Sequence, residues 1–452
     1  MSKIKPEKKN PDRPSSKKIE PFTRLRGMKD ILFEEYRYWD IVLEKALDLA
    51  KAYGFRKIET PILENQALYE RSTGQATDIV SKEMYNFIDK SGEKVALRPE
   101  ATPGLVRSYI EHGMFNLPQP VRMAWIGPLF RHEKPQTGRL RQFWQFDLEM
   151  FGEAGPVADA QIIQIAYHFF RELQIDVQVQ INSIGCPDCR AAYLEKLADF
   201  YRERGRRAKL CEDCRRRFGK NLLRLLDCKE TQCQEIRAEA PQIVDYLDEA
   251  CREHFIKVLE YLDEVDIPYN LNPFLVRGLD YYNRTIFEIV SADVPQEGEK
   301  RQAALGGGGR YDYLVEKMGG RPTPAVGFGA GIERTILKIK EKNIPLKTDA
   351  GKIVFIAQLG EQAKRKAMIM FEEMRRAGYN VRQLFVKDNL KSQLEEADRL
   401  GALFTVIMGQ KEIVDGTALI RDMESGVQEV VDAKKIVCEV EKRFANNGQV
   451  NC

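Results

Sequence analysis

No stretch of the 452-residue sequence approaches the ~20 consecutive apolar residues that a membrane-spanning helix requires. The N-terminus carries basic side chains, but no apolar core follows them, so it does not resemble a secretory signal. We therefore expect a cytoplasmic protein without a membrane partner. Nine cysteines on a chain without an export signal favour reduced thiols or metal ligands over a disulfide framework.

A strong net charge is also lacking, because 71 Lys and Arg residues against 68 Asp and Glu residues leave only +3. Residues 1–20 hold seven basic and three acidic side chains, which leaves the remaining chain near −1. A polyanionic partner would therefore contact local patches. Residues 201–230 form one such patch, with eleven basic and five acidic side chains. A solvated helical face is the alternative.

Changes in composition and pattern divide the chain into six segments, consistent with two to four domains of ~100 to 200 residues each. They are a disordered basic tail (1–20), the first part of a core (21–179), a helical Cys-rich insertion (180–262), the second part of the core (263–340), a linker (341–351) and a C-terminal domain (352–448). The tail has too little apolar surface to fold alone.

Strand-like and helix-like segments alternate from Lys352 onward, which predicts a βαβ unit. The first helix of this unit has a stripe of apolar residues at the spacing of a helix that covers a sheet. The stripe consists of Ala363, Ala367, Met370, Phe371 and Met374.

Residues 130–152 predict a hairpin, with two strand-like runs around a polar tip. On the period of two of a strand, Gln145, Asp147 and Glu149 share one face. Three polar side chains on one face indicate a binding site. A solvent-facing sheet surface is the alternative.

Residues 274–290 predict another strand, in which Arg277 and Arg284 accompany Asp280, Tyr281 and Tyr282. Burying an uncompensated arginine is costly, so these side chains need a phosphate or a carboxylate partner.

Two glycine-rich segments lie nearby. The four glycines at 306–309 allow a ligand or a neighbouring strand to approach the main chain. The run 325–331 leads into a helix near Glu333 and Arg334, but it lacks the G-x-G-x-x-G spacing of a dinucleotide site.

Two CxxC pairs occur in the insertion, Cys186 with Cys189 and Cys211 with Cys214. The 21 residues between them are near the spacing of a four-cysteine zinc site, and Cys228 and Cys233 follow. The two pairs are therefore candidate ligands of a structural Zn²⁺. Reduced, buried cysteines are the alternative.

Taken together, these segments resemble the class II aminoacyl-tRNA synthetases, and among them the histidyl-tRNA synthetases, over residues 21–446. The class motifs are matched at 54–64, 130–152 and 327–334, and the N-terminal signature at 24–32. Residues 276–288 and 306–312 resemble the two signatures of the histidine enzymes. The resemblance implies an α+β fold, in which an antiparallel-sheet catalytic core with a helical insertion precedes an α/β anticodon-binding domain. It also implies a homodimer whose interface includes residues 54–64.

The resemblance further implies a ligase that converts histidine and ATP, with Mg²⁺, to histidyl-adenylate and then charges tRNA(His). Arg131, Glu133 and Arg334 match ATP-binding positions, and Arg277 matches the arginine that stabilises the α-phosphate, so Arg131 and Arg277 are the catalytic candidates. The histidine-binding candidates are Glu100, Thr102, Gln145, Glu149, Tyr281 and Tyr282.

For the tRNA, Gln136 and Arg139 match positions near its acceptor end, although contact with ATP or solvent is as plausible an assignment. A zinc-stapled insertion would present the patch at 201–230 to the acceptor arm. Two other functions stay open. One is the inactive paralogue that regulates ATP phosphoribosyltransferase, which lacks the C-terminal domain. The other is a synthetase for another amino acid, such as proline or threonine, against which the segment 276–288 argues.

Overall fold

The computed structural model describes residues 21–75, 77–134, 138–293, 304–345, 353–386 and 388–445. The chain divides into two compact units, with the division between Pro345 and Leu346. The predicted tail, Gln136 and residues 346–351 of the predicted linker lie outside the described residues. Within the described ranges, no helix is both long enough and apolar enough to cross a membrane.

Eleven strands of the first unit lie in the described ranges. They are β1 (Arg56–Lys57), β2 (Leu63–Asn65), β3 (Asn86–Ile88), β4 (Lys94–Leu97), β5 (Val121–Phe130), β6 (Gln142–Phe151), β7 (Val177–Ser183), β8 (Tyr269–Leu271), β9 (Asn283–Ser291), β10 (Gly306–Arg310) and β11 (Ala325–Gly331). Eight strands form one sheet in the order β1-β5-β6-β11-β10-β9-β7-β8. All its neighbours are antiparallel except β1 with β5 and β7 with β8. A small antiparallel sheet has the order β2-β4-β3.

The described part of the first unit also contains eleven helices. They are α1 (Phe33–Ala52), α2 (Gln66–Tyr69), α3 (Thr102–Glu111), α4 (Pro156–Glu172), α5 (Pro187–Arg202), α6 (Arg206–Lys209), α7 (Glu212–Arg217), α8 (Thr231–Arg237), α9 (Glu249–Glu264), α10 (Leu314–Lys317) and α11 (Ile332–Glu341). Short 3₁₀ or π turns lie at Glu70–Gly74, Ile79–Glu83, Met114–Asn116, Glu203–Gly205, Leu222–Leu225 and Ile243–Tyr246. Helix α4 is apolar on most sides because it packs on β11 and β7 and is covered by α1 and α9.

The predicted hairpin is present as β5 and β6, which pair over their whole length from Val121 opposite Phe151 to Phe130 opposite Gln142. The glycine strand β10 lies between β9 and β11. A side chain at Gly308 would overlap the main chain of Gly327, so the close approach of a strand accounts for that glycine.

The strand predicted at 274–290 is wrong in its first half, because β9 begins at Asn283. Residues 274–282 form turns instead. Their partners are distant in sequence, since the Asp280 N–H donates to the Thr73 carbonyl and the Tyr281 hydroxyl donates to Glu100. A local pattern of apolar residues contains no information about such distant partners, so it could not predict these turns.

The insertion predicted at 180–262 consists mainly of helices, from α5 to α9. Residue 180 lies within β7 and residue 262 within α9. Because α9 packs on α4, the helical segment rests directly on the sheet domain.

The second unit contains the predicted βαβ pattern and a hairpin after it. Its elements are β12 (Ile353–Gln358), α12 (Glu361–Arg376), β13 (Asn380–Gln383), α13 (Leu390–Arg399), β14 (Phe404–Met408), α14 (Gln410–Asp415), β15 (Thr417–Asp422), β16 (Gln428–Asp432), a 3₁₀ turn (Ala433–Lys435) and α15 (Ile436–Phe444). The strand order is β13-β12-β14-β15-β16, with the first three parallel and the others antiparallel. The predicted stripe of α12 packs in the core.

Candidate active site

A buried carboxylate on β6 occupies the middle of the candidate site. Glu149 is 2% exposed and accepts a hydrogen bond from the Thr102 hydroxyl at 2.6 Å and another from the Tyr311 hydroxyl. Thr102 begins α3, and Tyr311 follows β10. Burial raises the pKa of Glu149 to about 7, although both hydrogen bonds oppose the rise. This carboxyl can therefore change its protonation state near neutral pH.

A second buried carboxylate lies in the turn before α3. Glu100 is 4% exposed and accepts hydrogen bonds from the Tyr281 hydroxyl, at 2.9 Å, and from the Thr73 hydroxyl. Burial raises the pKa of Glu100. The Tyr281 ring lies 4.7 Å from Tyr282 and 5.7 Å from Tyr311, measured between centroids. The three tyrosine rings thus lie next to one another, and Tyr281 contacts one carboxylate while Tyr311 contacts the other.

The predicted polar face of β6 is real, and its inner residues are buried. Asp147 and Glu149 are buried, which excludes the solvent-facing alternative for these two, whereas Gln145 is partly exposed. Burial, together with the charge of Glu149, raises the pKa of Asp147 well above its usual range. Side chains at Gly327 and Gly329 of β11 would overlap the Glu149 and Asp147 carboxylates, so the glycines of 325–331 make room for acidic groups.

Two half-buried arginines are held by main-chain carbonyls. The Arg131 Nε donates to the Pro99 carbonyl at 2.8 Å, and the guanidinium lies 5.3 Å from the Phe143 ring centroid. The Arg334 Nε donates to Gly138 at 3.0 Å and its Nη1 to Ala304 at 2.8 Å. In the described ranges, neither guanidinium forms an ion pair with a carboxylate.

Other positively charged side chains lie near Arg334. Burial, followed by the charge of Arg139, lowers the pKa of Arg334, and Arg131 adds to the effect. Glu133 offsets part of this charge by accepting a hydrogen bond from the Arg139 Nη1 at 2.9 Å. A cluster of cations with so few carboxylates is typical of a phosphate-binding site.

Arg277 has a carboxylate partner. Its Nη1 donates to Glu288 Oε1 at 2.9 Å, and its guanidinium lies 5.4 Å from the Tyr282 ring centroid. A side chain at Gly307 would come within 2.7 Å of the same Nη1, so the second glycine of β10 leaves space for this arginine. The sequence left open whether Arg277 pairs with a phosphate or with a carboxylate, and in the structure it pairs with the Glu288 carboxylate.

Two groups of the site were not indicated by the sequence pattern, Tyr311 and Thr73. A signal that could have indicated Tyr311 is its position two residues after the glycine run 306–309. Arg310, which is fully buried, donates to Asp159 and to Asp312, the latter at 3.1 Å. Because neighbouring strand residues point to opposite faces, anchoring Arg310 on one side directs Tyr311 towards Glu149 on the other.

The cysteines of the insertion form two groups, which corrects the single four-cysteine site predicted from Cys186, Cys189, Cys211 and Cys214. The second pair lies with Cys228 and Cys233, whereas the first lies with Asp248 and Cys251. The reason is α5, whose 16 residues span about 24 Å and separate the two CxxC pairs.

A mainly antiparallel sheet, a site that includes Arg131, Arg277 and Arg334, and a separate α/β unit after them place the chain among the class II aminoacyl-tRNA synthetases. The family model for histidyl-tRNA synthetase matches residues 27–335, and the model for the anticodon-binding domain matches residues 353–443. The chain belongs to the histidyl-tRNA synthetase family. The family, the fold class and the enzyme class expected from the motifs are thereby confirmed.

Individual relatives agree. The sequence is 42% identical over 420 residues to the histidine–tRNA ligase of Dehalococcoides mccartyi, covering 93% of this chain and 99% of that protein. It is 44% identical over 416 residues to the histidine–tRNA ligase of Desulforudis audaxviator, covering 92% and 97%. The crystal structure of apo S. aureus histidyl-tRNA synthetase superposes with a TM-score of 0.78 at 32% identity and covers 93% of this chain and 99% of that one.

Proposed function

We propose that this chain is a histidine–tRNA ligase that works in two steps. The carboxylate of histidine attacks the α-phosphorus of ATP, which gives histidyl-adenylate and releases pyrophosphate. The terminal ribose hydroxyl of tRNA(His) then attacks the activated carbonyl and releases AMP. The observation that carries the proposal is the pair of buried carboxylates, Glu100 and Glu149, each of which accepts hydrogen bonds from one tyrosine and one threonine hydroxyl. The charges of Arg131 and Arg277 act on Glu100.

Recognition of histidine follows from the chemistry of these groups. A carboxylate accepts from the ammonium group, for which we assign Glu100 together with Thr102 and Gln145. An imidazole presents one donor and one acceptor, so Glu149 and the hydroxyl of Tyr282 can read its two nitrogens, with Tyr281 beside them. A site built for both nitrogens leaves buried polar groups unpaired when another amino acid enters, and it therefore rejects that amino acid.

ATP would enter as its Mg²⁺ complex, as a substrate. Arg131 and Arg334, which have no carboxylate ion-pair partner among the described residues, supply guanidinium groups for its phosphates, and Glu133 lies beside them for the adenine. Arg277 would stabilise the charge that develops on the α-phosphate. The rate enhancement then comes from positioning and electrostatics, without a covalent enzyme intermediate.

The tRNA contacts are assigned by segment. Arg139, together with Gln136 three positions earlier in the sequence, would meet the acceptor end, and residues 352–448 would bind the anticodon. We also propose a homodimer through residues 54–64, as the first class motif implies, and a cytoplasmic location, where tRNA charging takes place.

The test is ATP–pyrophosphate exchange with the purified chain, supplied in turn with histidine, proline and threonine. We expect exchange with histidine alone, loss of exchange in Arg277→Ala, and retention in Arg171→Ala, whose arginine is exposed and lies outside the site. A folded wild-type chain that gives no exchange with histidine would favour the regulatory paralogue instead. Exchange with another amino acid instead of histidine would show that the enzyme is specific for that amino acid.

A further inference from the structure

Four cysteines of the insertion converge although they lie on different elements. Cys211 precedes α7, Cys214 lies within α7, Cys228 follows the turn at Leu222–Leu225, and Cys233 lies within α8. Their four sulfur atoms are all within 4.8 Å of one another. Three of the side chains are buried and Cys211 is partly exposed.

The sulfur spacing fits one metal ion. Cys211 Sγ and Cys228 Sγ are 3.8 Å apart, and a tetrahedral ion with Zn–S bonds of about 2.3 Å has sulfur–sulfur edges of about 3.8 Å. A polynuclear iron–sulfur cluster would hold its thiolates on different irons and therefore farther apart. The mutual proximity of all four sulfurs instead indicates a single ion with four thiolate ligands, for which tetrahedral Zn²⁺ is the usual occupant.

Main-chain amides already face these sulfurs. The Cys214 N–H donates to Cys211 Sγ at 3.4 Å, and the Cys211 N–H donates to Cys233 Sγ at 3.3 Å. Such donors favour the thiolate form that a metal requires. We propose that Cys211, Cys214, Cys228 and Cys233 bind one Zn²⁺ as a closed structural site.

A second group, on other elements, carries a second proposal independently. Cys186 and Asp248 are the capping residues that precede α5 and α9, and Cys189 and Cys251 lie in the first turns of these helices. The Cys186 Sγ is 3.5 Å from Cys189 Sγ and 3.3 Å from Asp248 Oδ2. Edges of about 3.8 Å between sulfurs and about 3.5 Å between sulfur and oxygen are expected around tetrahedral zinc. We infer a separate Zn²⁺ site with three thiolates and one carboxylate.

The first site is placed to hold the insertion against loops of the active site. Between its ligands, Asn221 Nδ2 donates to Asp280 at 3.1 Å, and Arg217 and Arg224 lie 3.4 and 3.7 Å from Asp78 Oδ2. Asp280 directly precedes Tyr281 in the chain. An insertion held in place by zinc therefore also holds Tyr281 in its position next to Glu100.

The second site clamps the starts of α5 and α9 together. From α5, Arg190 donates to the main-chain carbonyl of Tyr282. Both ions would therefore act as structural staples near the substrate site without contacting substrate.

The experiment measures zinc and iron by elemental mass spectrometry in the full chain, purified reduced and without chelator. Wild type is compared with Cys233→Ser and Asp248→Asn, each of which leaves the other group intact. The Asn variant retains a capping side chain for α9, so it tests the ligand role of the carboxylate apart from its helix cap. We expect two zinc ions per wild-type chain and one in each variant.

Because Cys233→Ser could fail to fold, Co²⁺ substitution of the wild type and of Asp248→Asn gives a second measurement. Ligand-field and thiolate charge-transfer absorption should show both a four-thiolate and a three-thiolate site in wild type, and the four-thiolate site alone in Asp248→Asn. Absence of zinc together with no Co²⁺ uptake would overturn both sites. If the wild type holds one zinc that is retained in Asp248→Asn and lost in Cys233→Ser, the second site is overturned. If the wild type holds one zinc that is retained in Cys233→Ser and lost in Asp248→Asn, the first site is overturned. Iron in place of zinc would overturn the metal's identity.

Discussion

At the scale of single residues, the protonation of Glu149 should make stability depend on pH. Its pKa is raised from 4.5 to about 7 in the folded chain, so the folded state binds more protons than the unfolded state between these values. Stability contributed by the neutral carboxyl is therefore present at low pH and lost as the pH rises through about 7. For this buried group, the shift corresponds to about 3 kcal/mol.

We expect Glu149→Gln to remove that dependence. Between pH 5 and pH 8, roughly the span of the titration, wild type should lose about 3 kcal/mol of unfolding free energy relative to the variant. Chemical denaturation of both chains without substrate at the two pH values measures the difference. A difference that does not change with pH would contradict the raised pKa.

Tyr311 offers a test of histidine recognition. Its hydroxyl donates to Glu149, and a hydrogen bond to a charged acceptor contributes about 1.5–3 kcal/mol. Tyr311→Phe should therefore raise KM for histidine roughly 10- to 100-fold in the exchange reaction, and KM for ATP should stay the same. Tyr313→Phe, which changes an exposed tyrosine two residues on, is the control, and an equal effect of both variants would assign the loss to general disturbance of the segment.

The sequence indicated Glu149, Asp147 and Gln145 because a strand period of two is a local property. It did not indicate Tyr311 or Thr73, because their hydrogen bonds to Glu149 and Glu100 join segments far apart in the chain. The ionisation of Glu149 also depends on burial by several elements, which a local pattern does not contain.

At the scale of elements, β11 is shaped by the acidic groups on β6. Gly327 pairs with Glu149 and Gly329 with Asp147 across the two strands. Gly327→Ala would place a methyl group on the Glu149 carboxylate. We expect the variant to lose histidine-dependent exchange and to become less stable by about 1–3 kcal/mol, as overpacked sites do.

Gly219→Ala is the matched control, because a methyl group there meets no atom within 4 Å. Exchange assays and thermal unfolding of both variants provide the comparison. Full exchange activity in Gly327→Ala would show that the carboxylate can move aside and that β11 does not set its position.

Periodicity predicted α12 and the β5–β6 hairpin, since each buries one regular face. It was wrong for residues 274–282, where apolar residues serve turns that bring Tyr281 to Glu100. Cysteine spacing predicted the wrong grouping of the metal ligands, because the length of α5 decides which cysteine pairs meet. The spacing also did not indicate Asp248, a ligand candidate that caps a helix as well.

At the scale of the whole molecule, the two compact units have separate cores. The division between them comes after the last of the three class motifs, which ends at residue 334. All described residues assigned to histidine and ATP lie in the first unit. From the sequence, the alternation of strand-like and helix-like segments from Lys352 onward predicts a separate C-terminal domain, because such a unit can bury its own apolar faces.

The division predicts a separation of the two reaction steps. A chain that ends at Pro345 should retain histidine-dependent exchange, since the residues that we propose for histidine and ATP all precede that point. Its kcat/KM for charging tRNA(His) should fall, because the unit that matches an anticodon-binding domain is gone. Each base interaction that is lost costs about 1–3 kcal/mol. Losing several phosphate and base contacts should therefore lower kcat/KM by roughly 100-fold or more.

A tRNA(His) with an altered anticodon distinguishes loss of recognition from general damage. The full chain should charge it more slowly than the normal tRNA, whereas the shortened chain should charge both at one low rate. If the shortened chain is folded by circular dichroism yet gives no exchange, the second unit also supports adenylate formation. If it still discriminates between the two tRNAs, the anticodon is read by the first unit, and residues 352–448 have another role.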